Sequence, residues 1–162
     1  MLDKLVLIPL IPFIGFLLNG LLGERAGRGF VKIVGPAASF TSAILATIAT
    51  FEYLGRYSHG ERHLDVVYTW FSSGKIAVDF AFQLDPLSIV MMLTVAWVGS
   101  LIHLYSVGYM AHEEGFARYF AYLNLFMAAM LILVLGSSYL FIFLGWEGVG
   151  LCSYLLIAFY YD

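Results

Sequence analysis

The sequence predicts an all-α membrane protein of about five transmembrane helices carrying one extramembrane β-hairpin. Three observations lead there. The 162 residues are 62% hydrophobic and only 12% charged, whereas an ordinary soluble domain is about 45–50% apolar and about 25% charged. The charges are also unevenly placed: segments 5–23, 33–51, 86–112, 119–146 and 148–161 contain no Asp, Glu, Lys or Arg. A helix crosses a bilayer with about 20 apolar residues. The first four segments reach that scale, and the fifth is joined to the fourth through Glu147. Finally, one stretch between these segments alternates with a period of two, the pattern of a half-buried strand.

The first span runs from about Leu5 to Leu22. Lys4 before an apolar run is compatible with a signal peptide. The length of the run, Pro9, Pro12 and the absence of a small-x-small site before Gly23-Glu24-Arg25 favour an uncleaved helix, kinked at Pro12. Glu24 to Lys32 reads as a polar loop, and the second span covers Val31 to Tyr53. The next thirty or so residues are not membrane-like, with Glu52, Arg56, His59, Glu61, Arg62, His63 and Asp65. Val66-Val67-Tyr68-Thr69-Trp70-Phe71 is rich in β-branched and aromatic residues. Ile76, Val78, Phe80, Phe82 and Leu84 alternate with Ala77, Asp79, Ala81, Gln83 and Asp85. With Ser72-Ser73-Gly74-Lys75 as the turn, these form a hairpin. Its edges exclude it from lipid, so it lies in water or against protein.

Asp85-Pro86 opens the third span, Asp as N-cap and Pro in the first turn, and the helix continues to about Tyr109. His112-Glu113-Glu114-Gly115 is a loop. The fourth span covers Phe116 to Leu135, Gly136-Ser137-Ser138 is a break, and the fifth span covers Tyr139 to Tyr161. The chain thus divides into 1–64 (two helices and the start of an outer loop), 65–85 (the hairpin) and 86–162 (three helices). Arg25, Arg28 and Lys32 crowd the short first loop, which places that loop on the cytoplasmic side and the hairpin outside. Tyr53, Tyr57, Trp70, Tyr105, Tyr109, Tyr119, Tyr160 and Tyr161 fall near membrane boundaries, as belt anchors do.

Composition excludes several functions. Eight Lys+Arg against eleven Asp+Glu leave no basic footprint for nucleic acid. A single cysteine, Cys152, excludes an internal disulfide and a Cys-based zinc site, and reads as a packed small residue. No histidine pair has metal-ligand spacing within one element, so no metal is expected. No Gly-rich phosphate loop follows a strand, so no nucleotide site is expected.

Glu147 is the main candidate for chemistry. A carboxylate near the middle of a span costs several kcal/mol unless protonated, paired or wetted, so its presence there points to proton loading and release. A protonated Glu tying two helices together is the plainer reading, but small polar residues supply such ties more cheaply. Gly145, Gly148 and Cys152 are small residues spaced three and four apart, which invites a neighbouring backbone. Gly150 and Tyr154 share the face of Glu147, so the Tyr154 hydroxyl is a candidate hydrogen-bond partner as well as a packing group. His103, inside the third span, is either a proton relay or an interhelical tie. Asn124 reads as a polar tie in the fourth span. His59, His63 and His112 fall in loops.

The run Gly145-Trp146-Glu147-Gly148-Val149-Gly150-Leu151-Cys152-Ser153-Tyr154-Leu155-Leu156-Ile157 resembles the subunit L (chain 5) family of respiratory complex I, NADH-quinone oxidoreductase. Leu84-Asp85-Pro86-Leu87-Ser88, the stretch from Leu101 to Met110 and the stretch from Phe116 to Phe126 resemble it too, so the likeness covers the whole chain. It implies the front part of an antiporter-like fold, a membrane subunit that couples NADH oxidation and quinone reduction to proton pumping. It also implies that Glu147 is the proton-transfer carboxyl, working with a lysine two helices further on, in a repeat that begins at the fourth helix. NADH, FMN, iron-sulfur clusters and quinone would sit in other subunits, with none in this chain. The partners implied are the other membrane subunits of complex I and the lipid of an energy-coupling membrane, a bacterial inner membrane. Family members have well over ten helices, so the chain is expected to be an N-terminal fragment or one piece of a split gene. The large subunit of a multi-subunit sodium/proton antiporter shares the membrane Glu and is the nearest rival. A non-transporting assembly scaffold is the third reading.

Overall fold

A computed structural model describes residues 1–57, 61–73 and 76–160. The chain runs α1 (Leu7–Ala26), α2 (Arg28–Arg56), β1 (His63–Ser73), β2 (Ile76–Leu84), α3 (Pro86–Tyr109), α4 (Phe116–Leu135) and α5 (Tyr139–Ile157), with a 3₁₀ turn at Leu2–Lys4 ahead of α1. All five α-helices are long and apolar enough to cross a membrane. His59, the Gly74-Lys75 half of the expected turn, Tyr161 and Asp162 lie outside the described residues.

Two boundaries differ from expectation. The polar loop expected over Glu24–Lys32 is instead helical on both sides of Gly27, whose φ of 85° reverses the chain. Charged residues at a span's edge continue the helix into the headgroup zone, so the end of an apolar run marks the edge of the lipid and not of the helix. Conversely α5 stops at Ile157, where Ala158 donates its backbone N–H back to the Tyr154 carbonyl.

Small residues set the packing. In lipid, helices gain little from burying apolar area against each other and associate through close contact. Gly15, Asn19 and Gly23 are buried along one stripe of α1. A Cβ at Gly15 would stand 2.7 Å from Ala38 Cβ on α2 and 3.0 Å from Asn124 Oδ1 on α4. One at Gly23 would stand 2.9 Å from Ala117 Cβ of α4 and 3.0 Å from Val31 of α2. The α2 residues Ser42, Ala43, Ala46 and Ala49 are buried, and Ser42 donates to the Ile8 carbonyl at 2.6 Å. Helix α4 packs against α1, α2, α3 and α5.

The hairpin forms as expected. β1 pairs antiparallel with β2, His63 opposite Leu84 and Tyr68 opposite Phe80, with register shifts between Val66 and Tyr68 and between Thr69 and Phe71. The other edge of β2 is engaged as well. Ala81 accepts from the Ser137 backbone N–H at 3.1 Å, and Phe82 bridges Gly136 between α4 and α5. This pairing satisfies backbone groups that lipid would leave bare. Phe80 and Phe82 pack their rings on Phe141 of α5, with centroids 4.1 Å and 5.1 Å away. Asp65 accepts the Leu5 N–H at 2.7 Å. His63 lies between the Tyr57 hydroxyl (2.9 Å) and the Leu2 carbonyl (3.2 Å). At the head of α3, Asp85 Oδ1 accepts from Ser88 N–H and Ser88 Oγ accepts from Asp85 N–H, both at 2.8 Å, a complete capping box. At the other end of the bundle, Arg28 donates to the carbonyls of Ala111 (2.6 Å) and Glu113 (3.0 Å).

Candidate functional site

Glu147 is the ninth of nineteen residues in α5, so the helix holds it near mid-span. One side of α5 is fixed by close approach to α4. A Cβ at Gly145 would stand 2.6 Å from Leu133 N, one at Gly148 would stand 3.1 Å from Ala129 Cβ, and Cys152 is buried. The spacing of these three small residues therefore does what it suggests, bringing two backbones together. It also decides where Glu147 points. Glu147, Gly150 and Tyr154 share the opposite side, and all three are exposed on the surface of the five helices. Among the described residues the ion pairs lie elsewhere, at Glu52, and no hydrogen bond joins Glu147 to Tyr154, which is two turns away. The carboxyl is presented outward from this chain and not into its packed interior.

Tyr154 borders an open groove of about 370 Å³ with Arg118, Tyr122, Leu155, Ala158 and Phe159. Arg118 sits over the Phe159 ring, 5.1 Å from its centroid. This groove lies two turns along α5 from Glu147 and supplies a cation at the helix end.

His103 occupies a different environment. It is 1% exposed within α3, and Nδ1 lies 2.7 Å from the Gly99 carbonyl. A carbonyl only accepts, so the network assigns the ring proton to Nδ1, and Nε2 of the neutral ring is an acceptor. Nε2 is buried and has no partner among the described residues. The ring borders an open, mostly apolar groove of about 210 Å³ between α3 and α4, lined also by Gly99, Leu123 and Met127. Helix α4 contacts both α3 and α5; His103 is buried while Glu147 is exposed, and the structure does not bring these two together.

Asn124 is fully buried and donates through Nδ2 to the Phe120 carbonyl of its own helix at 2.9 Å. Asn19, which sequence reasoning passed over, is fully buried with both amide atoms unpartnered among the described residues. Its signal was available: an amide inside an apolar run, four residues from Gly15 and four from Gly23. Among the described residues no cluster of three or more His, Cys, Asp or Glu could hold a metal ion.

A bundle of five membrane-length helices, one with a carboxyl near its middle, set beside a surface hairpin, is the construction of a multi-pass membrane protein. The family described as NADH-ubiquinone oxidoreductase (complex I), chain 5 N-terminus, matches residues 70–120. NADH-quinone oxidoreductase subunit L of Pseudomonas aeruginosa is 44% identical over 153 residues, 94% of this chain and 25% of that protein. The subunit of the same name from Escherichia coli K12 is 41% identical over 160 residues, 98% of this chain and 26% of its own length. NADH-ubiquinone oxidoreductase chain 5 of Hypocrea jecorina is 38% identical over 152 residues, 94% of this chain and 22% of its own. The chain is similar to subunit L (chain 5) proteins of complex I over most of its own length, and it spans about a quarter of the length of those it matches.

Proposed function

We propose that this chain is part of a proton-translocating, antiporter-like membrane subunit of NADH-quinone oxidoreductase, and that Glu147 is its proton-transfer group. The observation that carries the reading is a single carboxyl near the middle of α5, turned away from the α4 contact, in a chain similar to subunit L nearly end to end. The carboxyl would take a proton as its site is dehydrated and release it when a cation approaches from the helices it faces. His103 would serve as a relay within α3, and Tyr154 would hydrogen-bond water on the face of Glu147. The enzyme's NADH, FMN, iron-sulfur clusters and quinone would be held by other subunits, and the other membrane subunits of the complex and lipid would be the partners. The hairpin would face outward from a bacterial inner membrane, with the arginine-rich turn at Arg25 and Arg28 in the cytoplasm. The sodium/proton antiporter and scaffold readings are not favoured, since the relatives named above are all subunits of NADH-quinone or NADH-ubiquinone oxidoreductase.

The test is Glu147→Gln in the full-length subunit within the assembled complex. Proton pumping coupled to NADH:quinone turnover should fall while assembly persists. Unchanged pumping stoichiometry and turnover would remove Glu147 from the path.

A further inference from the structure

The packing register of α1, α2 and α4 sets three residues with unpartnered polar atoms at about the level of Phe120 in the bundle. Gly15 of α1 stands against Ala38 and Asn124, and Gly23 stands against Val31 and Ala117. Asn19 lies midway on the same stripe, four residues from each. Midway between the α2 and α4 contacts lie Gly35 and Phe120, which touch: a Cβ at Gly35 would stand 2.6 Å from Phe120 Cδ1. The register therefore sets Asn19 level with Phe120. Asn124, one turn on in α4, spends its Nδ2 on the Phe120 carbonyl and keeps Oδ1 unpartnered. His103 approaches the Phe120 ring from α3, with centroids 6.3 Å apart, and keeps Nε2 unpartnered. All three residues are at most 1% exposed.

The unmet chemistry is specific. Asn19 Oδ1, Asn124 Oδ1 and His103 Nε2 are acceptors, and Asn19 Nδ2 is the one donor group among these orphaned atoms. Buried polar atoms in folded proteins are nearly always partnered by protein or ordered water, and lipid offers neither. The missing partner must donate more than it accepts, be small, and reach the interior of a helix bundle. The open groove between α3 and α4 beside His103 is lined mostly by apolar side chains and by neither asparagine, so it is not where the amides find their partner.

We propose that Asn19, Asn124 and His103 form a buried water-binding site at the level of Phe120, inside α1, α3 and α4 and independent of Glu147. Water donates to the two amide oxygens and to His103 Nε2, and accepts from Asn19 Nδ2. The site gives His103 a solvent contact.

Hydroxyl-radical labelling tests it, because ordered water generates radicals where bulk solvent does not reach. The full-length subunit in its assembled complex is exposed to a radiolytic pulse, and side-chain oxidation is mapped by mass spectrometry. Phe141 is the internal control, equally buried at 1% exposed but enclosed by Phe80 and Phe82. Phe120 should be oxidised several-fold faster than Phe141. Equal rates in the wild-type protein would show a dry interior and overturn the proposal. In the Asn19→Leu, Asn124→Leu double variant, the Phe120 rate should fall to that of Phe141. Persistence of the fast rate there would also overturn it, since the amides would then hold no water. The wild-type comparison stands alone if the double variant does not assemble.

Discussion

Gly145 of α5 lies against the backbone of Leu133 in α4: a side-chain carbon at 145 would stand 2.6 Å from the Leu133 nitrogen and 2.7 Å from its Cα. Backbone cannot rotate aside as a flexible side chain can. Gly145→Val should therefore force the two helices apart at a cost of about 1–3 kcal/mol, the range for overpacking. The thermal midpoint of the purified assembly in detergent should fall. Gly148→Ala, which meets only the Ala129 methyl at 3.1 Å, should lower it less. Equal effects would contradict the close approach.

Asp85 and Ser88 cap α3 reciprocally. Asp85→Ala should destabilise the head of that helix by about 0.5–2 kcal/mol, and Asp85→Asn should retain most of it. Amide hydrogen exchange at Ser88 and Ile89 should accelerate in the alanine variant and much less in the asparagine one.

Phe141 anchors the hairpin through Phe80 and Phe82. Phe141→Ala removes a buried ring from this cluster and should cost about 3–5 kcal/mol. The local consequence is release of β2, so limited proteolysis should cut within 63–84 in the variant under conditions that spare the wild type.

Arg28 holds the α3–α4 connection by two backbone carbonyls. That fork belongs to guanidinium and not to ammonium. Arg28→Lys preserves the charge but should release the connection, raising hydrogen exchange over 111–115. If exchange there is unchanged, charge alone is holding the loop.

Much of the fold could be read in the sequence because lipid punishes charge so heavily. The bounds of α4 and the capping of α3 follow from Phe116–Leu135 and Asp85-Pro86 as written. Period-two alternation identified β2, although the burial of Ala81 does not follow from alternation: its strand edge pairs with Ser137, more than fifty residues away and unconnected in pattern. The Gly27 reversal was hidden because Glu24, Arg25 and Arg28 look like loop residues and are in fact helix ends. At the candidate site, the position of Glu147 along the helix was legible. Its direction was not, since that depends on which side of α5 the glycines commit to α4. The Gly15, Asn19 and Gly23 spacing marks a packed stripe of α1, but which helices meet that stripe, and so what surrounds Asn19, follows only from the register of three helices.

The hairpin is joined to the helices at several separate points. Asp65 holds Leu5 just ahead of α1, Asp85 begins α3 directly from β2, and Ala81 and Phe82 hold the turn that begins α5. Three helices thus share one bracket at the same end of the bundle. None of them can tilt or slide there without dragging the strands, and a force applied to the hairpin by a neighbour would be felt at the root of the helix that carries Glu147.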